Sequence, residues 1–202
     1  MWKNPNILKY GAGLTTIIKL NQLKHTKLSK NIKLTDTQRF IEQLVMEIQT
    51  ILTDSLTVRE MDNELKRVFV NNMDIKGLSL YCLGLNKENL TQHQRNKYYD
   101  LFKHYFLKTY SLELTKYRNI KIKIRNDKSK SKDNYTMVKG SLIKAKANKK
   151  LALEWRVYTK YNNPMIRDIS IGGNSLARRE KERFAIIMED DGIDGIFKIL
   201  TL

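Results

Sequence analysis

A single cysteine, Cys82, excludes an internal disulfide and a multi-cysteine metal site. Histidine is almost as scarce. His25, His93 and His104 lie far apart, and the last two are not at the i, i+4 spacing of a helical zinc pair. No run of about 18 apolar residues occurs, so no segment is long enough to cross a bilayer as a helix. Glycine-rich phosphate loops are missing too. Gly11-Ala12-Gly13 has no third glycine and no strand before it, and Gly172-Gly173 has no lysine–serine signature after it. Acidic residues are thin in two stretches. Before Asp36 there are seven lysines and no acid; from Thr115 to Lys150 there are thirteen basic residues and two acids. These stretches hold the whole of the net charge of +17 and leave a nearly neutral body. Such segments favour anionic partners, whether nucleic acid, lipid headgroups or an acidic protein face. A compositional drift toward Lys, Asn and Ile explains them equally well.

What is present suffices for one folded domain, with 202 residues and 41% hydrophobic content. Residues 1–34 show no firm period. They read as a basic N-terminal arm with a short helix near Leu14–Leu23, or as a degenerate export signal. Lys9 and Lys19 interrupt the apolar stretch Ile7–Leu20, and no small-x-small cleavage site follows cleanly. The domain proper is expected over residues 35–202. Capping boxes at Thr35, Thr57 and Thr91, each answered three residues on by Gln38, Glu60 and Gln94, open three helices. The first carries a stripe of Phe40, Leu44, Ile48 and Ile51. The second carries Met61, Leu65, Val68 and Phe69. Met73–Leu83 is apolar on most sides and ends at Gly84, so it is expected to be buried or to line an apolar cavity. The longest helix, from Thr91, places Tyr98, Leu101, Phe102, Tyr105, Phe106 and Leu112 on one broad face, which by itself reads as ordinary core.

At Arg118 the period changes to two. Ile120, Ile122 and Ile124 alternate with Lys121, Lys123 and Arg125. Asn126–Asn134 reads as a charged loop, and Tyr135–Ala145 as a strand with a bulge at Gly140. Leu151, Leu153, Trp155 and Val157 then alternate with polar residues, and a turn at Tyr161–Pro164 leads into a strand with Met165, Arg167, Ile169 and Ile171 on one face. After Gly172-Gly173 a helical pattern starts near Ser175 and is broken at Gly192. Helices, four antiparallel strands and helices again make an α+β pattern.

Catalytic chemistry is weakly written. Cys82 sits in an apolar segment with no local partner motif. Glu154 lies among basic positions and reads as a surface ion pair. Asp168 stands before a glycine turn and reads as a group that fixes that turn. A basic nucleic-acid-binding module remains an alternative on charge, but the basic strand offers isoleucines where base stacking needs aromatics.

Three motifs occur in order. Leu90-Thr91-Gln92-His93-Gln94-Arg95 leads through Tyr98, Phe102, Tyr105 and Phe106 to Thr109-Tyr110. Trp155-Arg156-Val157-Tyr158 is followed by Asp168, Gly173 and Ser175-Leu176. Gly192-Ile193-Asp194-Gly195-Ile196 closes the chain. Over about Phe40–Leu200 this order resembles the MlaC, or toluene-tolerance auxiliary, family of soluble periplasmic phospholipid carriers. The resemblance implies a curved four-stranded antiparallel sheet wrapped by helices around a deep apolar pocket. It implies phospholipid as cargo, no metal or other cofactor and no catalytic residue. It also implies a monomer exchanging lipid between an outer-membrane lipoprotein complex and an inner-membrane ABC transporter complex, in maintenance of lipid asymmetry, with no specific nucleic acid as partner. The walls it implies are Ile75, Leu78 and Tyr81; Tyr98, Phe102, Tyr105, Phe106 and Tyr110; Ile122, Val138, Leu142, Leu153, Trp155, Val157, Ile169 and Ile171; and Asn174 with Leu176 at the turn. Two positions depart from the family's pattern. Gly172 stands where an acid is usual, and Asn174 where an aliphatic residue is usual.

Overall fold

The computed structural model describes residues 36–118, 120–125, 129–132, 135–144, 149–160 and 163–202, together with Lys19 and Gln22. The N-terminal arm, the cap at Thr35 and the turn residues Tyr161 and Asn162 lie outside the described residues; Lys19 and Gln22, within the short helix expected there, are helical. Helix α1 covers residues 36–53 and buries Ile41, Leu44, Val45, Ile51 and Leu52. Helix α2, Val58–Asn72, opens on the Thr57 capping box: the Glu60 N–H donates to Thr57 Oγ1 at 3.3 Å, and the Thr57 N–H donates to Glu60 Oε2 at 2.9 Å. Helix α3, Ile75–Leu83, is capped by Asp74, whose Oδ1 accepts the Gly77 N–H at 2.8 Å. A 3-10 stretch, Gly84–Asn89, leads to helix α4, Gln92–Thr115, which opens on the Thr91–Gln94 box. Leu112 points to solvent, whereas Ser111 and Thr115 turn inward. Rows spaced by four residues wind around a helix of 3.6 per turn, so the face set by Tyr98, Phe102 and Phe106 has moved by the last turns.

The sheet comprises β1 (Ile120–Ile124), β2 (Lys130–Lys132), β3 (Tyr135–Lys144), β4 (Lys149–Lys160), β5 (Asn163–Ile171) and β6 (Asn174–Ser175). It is curved and unclosed, antiparallel throughout, with the order β1-β3-β4-β5-β6, and β2 also pairs with β3. The four long strands are those expected from the alternation. β2 interrupts the expected charged loop; it carries no apolar residue to announce it, and Ser131 is held by the Thr136 hydroxyl at 3.1 Å.

Two expectations within the strands change. Gly140 is no bulge, because it pairs regularly with Ile124 and Leu153. Its role is space: a Cβ there would stand 2.7 Å from the Lys123 carbonyl oxygen and 2.8 Å from the Trp155 ring. The register shift lies instead opposite Arg156 and Val157, which pair with Asp168 and Ile166. Arg167 is the extra residue. The phase of β5 therefore flips: Ile166 is buried with Val157, and Met165 and Arg167 do not share one face with Ile169 and Ile171. At the end of β5, Gly172 and Gly173 adopt φ of 61° and 87°, and the chain enters helix α5, Leu176–Leu200. Non-helical Gly192 kinks α5 where the sequence breaks.

One contiguous core joins α1 through α5 to Val138, Leu153, Trp155, Val157 and Ile166 of the sheet. A Gly140→Ala variant will lose stability by about 1–3 kcal/mol from overpacking, although Ala is the better strand residue; urea unfolding of the two proteins measures the difference.

Candidate ligand-binding groove

The register sorts the sheet into two faces. Val138, Trp155 and Ile169 share one, with Leu153 and Val157, and this face packs on the helices. Met137, Arg156 and Asp168 share the other, flanked by Tyr135 and Tyr158. At the β5 edge of this face, where Met73 bridges Ile166 and the Ala177 N–H meets Asp168, stand α3 and the start of α5. Between them lies a groove of about 350 Å³ lined by Gly77, Leu78, Tyr81, Tyr135, Arg156, Arg167, Asp168 and Ala177. A second cavity of about 180 Å³ shares Arg156 and Asp168 with it and continues past Ser170, Ser175 and Arg178.

The groove has a charged floor held in fixed geometry. Arg167, pushed sideways by the bulge, donates from Nε to Asp74 Oδ2 at 2.6 Å and from Nη1 to the Tyr135 hydroxyl at 3.0 Å. Its guanidinium also lies 4.3 Å from the centre of the Tyr158 ring. Asp168 is buried, and both its oxygens are used. Oδ2 accepts the Ser175 hydroxyl at 2.6 Å and Oδ1 accepts the Ala177 N–H at 3.0 Å. Ser175 Oγ in turn accepts the Arg178 N–H at 3.0 Å and caps α5. Asp168 thus fixes the strand-to-helix turn, as its place before the glycines suggests. Glu154 pairs with Lys139 at 2.8 Å as a half-exposed surface ion pair.

The eighteen residues read as pocket walls fall into three settings. Ile75, Leu78, Tyr98, Phe102, Phe106, Val138, Leu142, Leu153, Trp155 and Val157 are buried. Tyr105, Tyr110, Ile122, Ile169 and Leu176 are half-buried, and Tyr81, Ile171 and Asn174 are exposed. Leu78 and Tyr81 line the groove itself. Tyr98, Phe102, Phe106 and Phe184 instead pack ring on ring, with centroids 5.8–6.4 Å apart. Burial pushes the Tyr98 phenol far above its ordinary range, and its hydroxyl donates to the Ser79 carbonyl at 2.9 Å. Tyr105 and Tyr110 turn toward Glu180. Arg156, Arg167 and Tyr135 were not among the residues read from the sequence. The resemblance implied an apolar wall, and the bulge that brings Arg167 to Tyr135 leaves no periodic trace.

Among the described residues, those lining the groove include no nucleophile paired with a base. Cys82 is buried beside the Ala177 carbonyl, and burial, with Glu180 and Asp168 nearby, pushes its thiol up to about 12. Among the described residues no group of three His, Cys, Asp or Glu is placed to hold a metal ion, and no helix is long and apolar enough to cross a membrane.

The MlaC protein family matches residues 38–201. No curated protein matches the chain. Among solved structures, the phospholipid-binding protein from Ralstonia solanacearum, in complex with a phospholipid, is similar in fold. It is 20% identical, with a TM-score of 0.70, over 82% of this chain and 94% of that one.

Two outcomes follow from the geometry. An Asp168→Ala variant leaves the Ala177 N–H and the Ser175 hydroxyl without their acceptor, and will lose about 1–3 kcal/mol in urea unfolding. Cys82 will resist a thiol-specific reagent at pH 8 in the folded protein and react fully once the chain is unfolded.

Proposed function

The chain belongs to the MlaC family, and from that premise we propose that it is a phospholipid carrier and not an enzyme. The match over residues 38–201, nearly the whole of the described fold, carries this reading. The lipid named with the similar Ralstonia structure supports it. The groove between α3 and the sheet supplies the geometry, because Leu78, Tyr81 and Ala177 give it an apolar wall beside a polar floor.

An acyl chain in water costs about 0.8 kcal/mol per CH₂, so lipid cannot leave a bilayer unless the protein offers walls of similar apolarity. The groove of about 350 Å³ is at the small end of ligand sites, which run from roughly 300 to 1,000 Å³. A two-chain lipid therefore has to part α3 from the sheet. The residues under α3 would then become its walls: Tyr98 and Phe102 of α4, with Ile75 and Leu78 of α3 itself. On this reading Leu153, Trp155 and Val157, on the opposite face of the sheet, are the scaffold against which the helices stay packed. Exchange would run between an outer-membrane lipoprotein complex and an inner-membrane ABC transporter complex, with the carrier in the periplasm. Because the walls resemble the bilayer interior, transfer is close to balanced, and docking partners set its direction.

The test is extraction of the purified protein with organic solvent followed by mass spectrometry. Phospholipid is expected well above the level found with a control protein, and its absence would sink the proposal. Tyr81 is 44% exposed, so Tyr81→Asp should fold while placing a charge on the groove wall. Its retained lipid should fall by about tenfold, the cost of desolvating one charge imperfectly. A Lys121→Glu change on exposed β1 should leave it unchanged.

A further inference from the structure

The smaller cavity, of about 180 Å³, has a mixed lining and holds cations that nothing in the fold uses. Among the described residues, the guanidinium groups of Arg156 and Arg178 make no ion pair, hydrogen bond or ring contact, and the Ser170 hydroxyl has no partner. Of the acids in the same wall, Glu154 is neutralised and Asp168 keeps its charge with both oxygens engaged, so the two arginines leave the wall positive by one. Glu154 is paired with Lys139. Asp168 accepts from Ser175 and from the Ala177 N–H with its two oxygens. Arg167 next door is tied to Asp74 and Tyr135, and so contributes no free charge. Two unspent guanidinium forks and a hydroxyl thus line one solvent-open recess. A planar fork matches the oxygens of a phosphate. At roughly 30 Å³ per water, the space has room for a phosphate group and not for an acyl tail.

The cavity and the groove share Arg156 and Asp168. A cation-bearing compartment and a more apolar one, joined at one arginine, have the shape of an amphiphile with an anionic end. We propose that Arg156 and Arg178, with Ser170, form a phosphate site that selects phospholipids of net negative headgroup over zwitterionic ones. This rests on the carrier reading above. A zwitterionic head brings its own ammonium against the two arginines and cancels part of the attraction; an anionic head does not.

The experiment incubates the full chain with vesicles of phosphatidylglycerol or phosphatidylcholine of identical acyl chains, reisolates the protein and quantifies bound lipid. At low salt the wild type is expected to take up phosphatidylglycerol about tenfold better, the gain of one charge-assisted hydrogen-bonded contact. Added salt narrows the preference, because both arginines are exposed. R156Q/R178Q should bring the ratio to about one, chiefly by lowering phosphatidylglycerol uptake, without lowering the melting temperature. Lys121→Gln with Lys123→Gln, on exposed β1 positions, should leave the ratio intact and so separates a local site from general basicity. Equal uptake by the wild type, or a preference that survives R156Q/R178Q, overturns the site while leaving the carrier reading standing. No uptake of either lipid overturns both. Inorganic phosphate supplies the last arm: if it alone raises the melting temperature of the wild type but not of R156Q/R178Q, and no headgroup preference exists, the same chemistry serves free phosphate and the lipid assignment falls.

Discussion

One extra residue in β5 sets the arrangement on which the rest depends. Arg167 has no counterpart in β4, so the strand changes phase there. On one side of the shift Ile166 stays in the core beside Val157; on the other, Asp168 lies on the opposite face beside Arg156, buried under the start of α5. Without the shift, an alternating strand that buries Ile166 would also bury Asp168 in the aliphatic core, where an unpaired carboxylate costs several kcal/mol. With it, Asp168 meets the start of α5 and receives two donors. The bulge also swings Arg167 toward Asp74, the cap of α3. Both helices that wall the groove are therefore indexed to neighbouring residues of one strand.

A second buried acid ties the other side together. Glu180 of α5 is 3% exposed and sits against α4. It accepts from the Tyr110 hydroxyl at 2.6 Å and the Tyr105 hydroxyl at 3.3 Å, and Arg183 lies 3.3 Å away. Burial, followed by contact with Glu180, pushes the Tyr110 phenol up; for Tyr105 burial leads and the charge of Glu180 adds to it. Both therefore stay neutral and serve as donors. This gives the hydroxyls of two aromatics that the family resemblance assigns to an apolar wall a role in the structure. With Arg183 and Arg179 they satisfy a buried carboxylate, to which a phenylalanine would donate nothing.

The local signals in the sequence were the reliable ones. The boxes at Thr57 and Thr91 open α2 and α4 as expected, and Gly192 breaks the last helix. These depend on three or four adjacent residues. The isoleucines of β1 and the alternation through Trp155 marked their strands for the same reason. What the sequence did not disclose depends on pairing between distant residues. Gly140 looks like a bulge until the Lys123 carbonyl and the Trp155 ring are seen to need its missing Cβ. The true bulge at Arg167 interrupts no motif, and so the basic floor of the groove went unread. Leu78 and Tyr81 were reached because their segment is apolar on most sides, a pattern that also marks plain core. The family likeness supplied a pocket but not its face.

The energetics of the groove favour α3 as the wall that yields. It is nine residues long, and Asp74 holds it to the sheet from one carboxylate, with Oδ1 on the Gly77 N–H and Oδ2 on Arg167. Gly77 allows that approach, since a Cβ there would stand 2.4 Å from Asp74 and 2.8 Å from Arg167. The Arg167 and Asp74 side chains are 31% and 22% exposed, so the pair is partly screened and worth on the order of 1 kcal/mol, with the cap worth about 1 more. Burying a methylene returns about 0.8 kcal/mol, so roughly three buried methylenes offset release of the carboxylate latch, and further ones are needed for the Asp74 N–H bond to Ile166 and for the buried Ile75, Leu78, Cys82 and Leu83. A lipid brings many times that number, and the remainder goes into keeping apart the faces that α3 otherwise covers. On the proposed reading the latch is thus strong enough to hold α3 against the sheet, and weak enough that only a ligand with a substantial apolar part opens it.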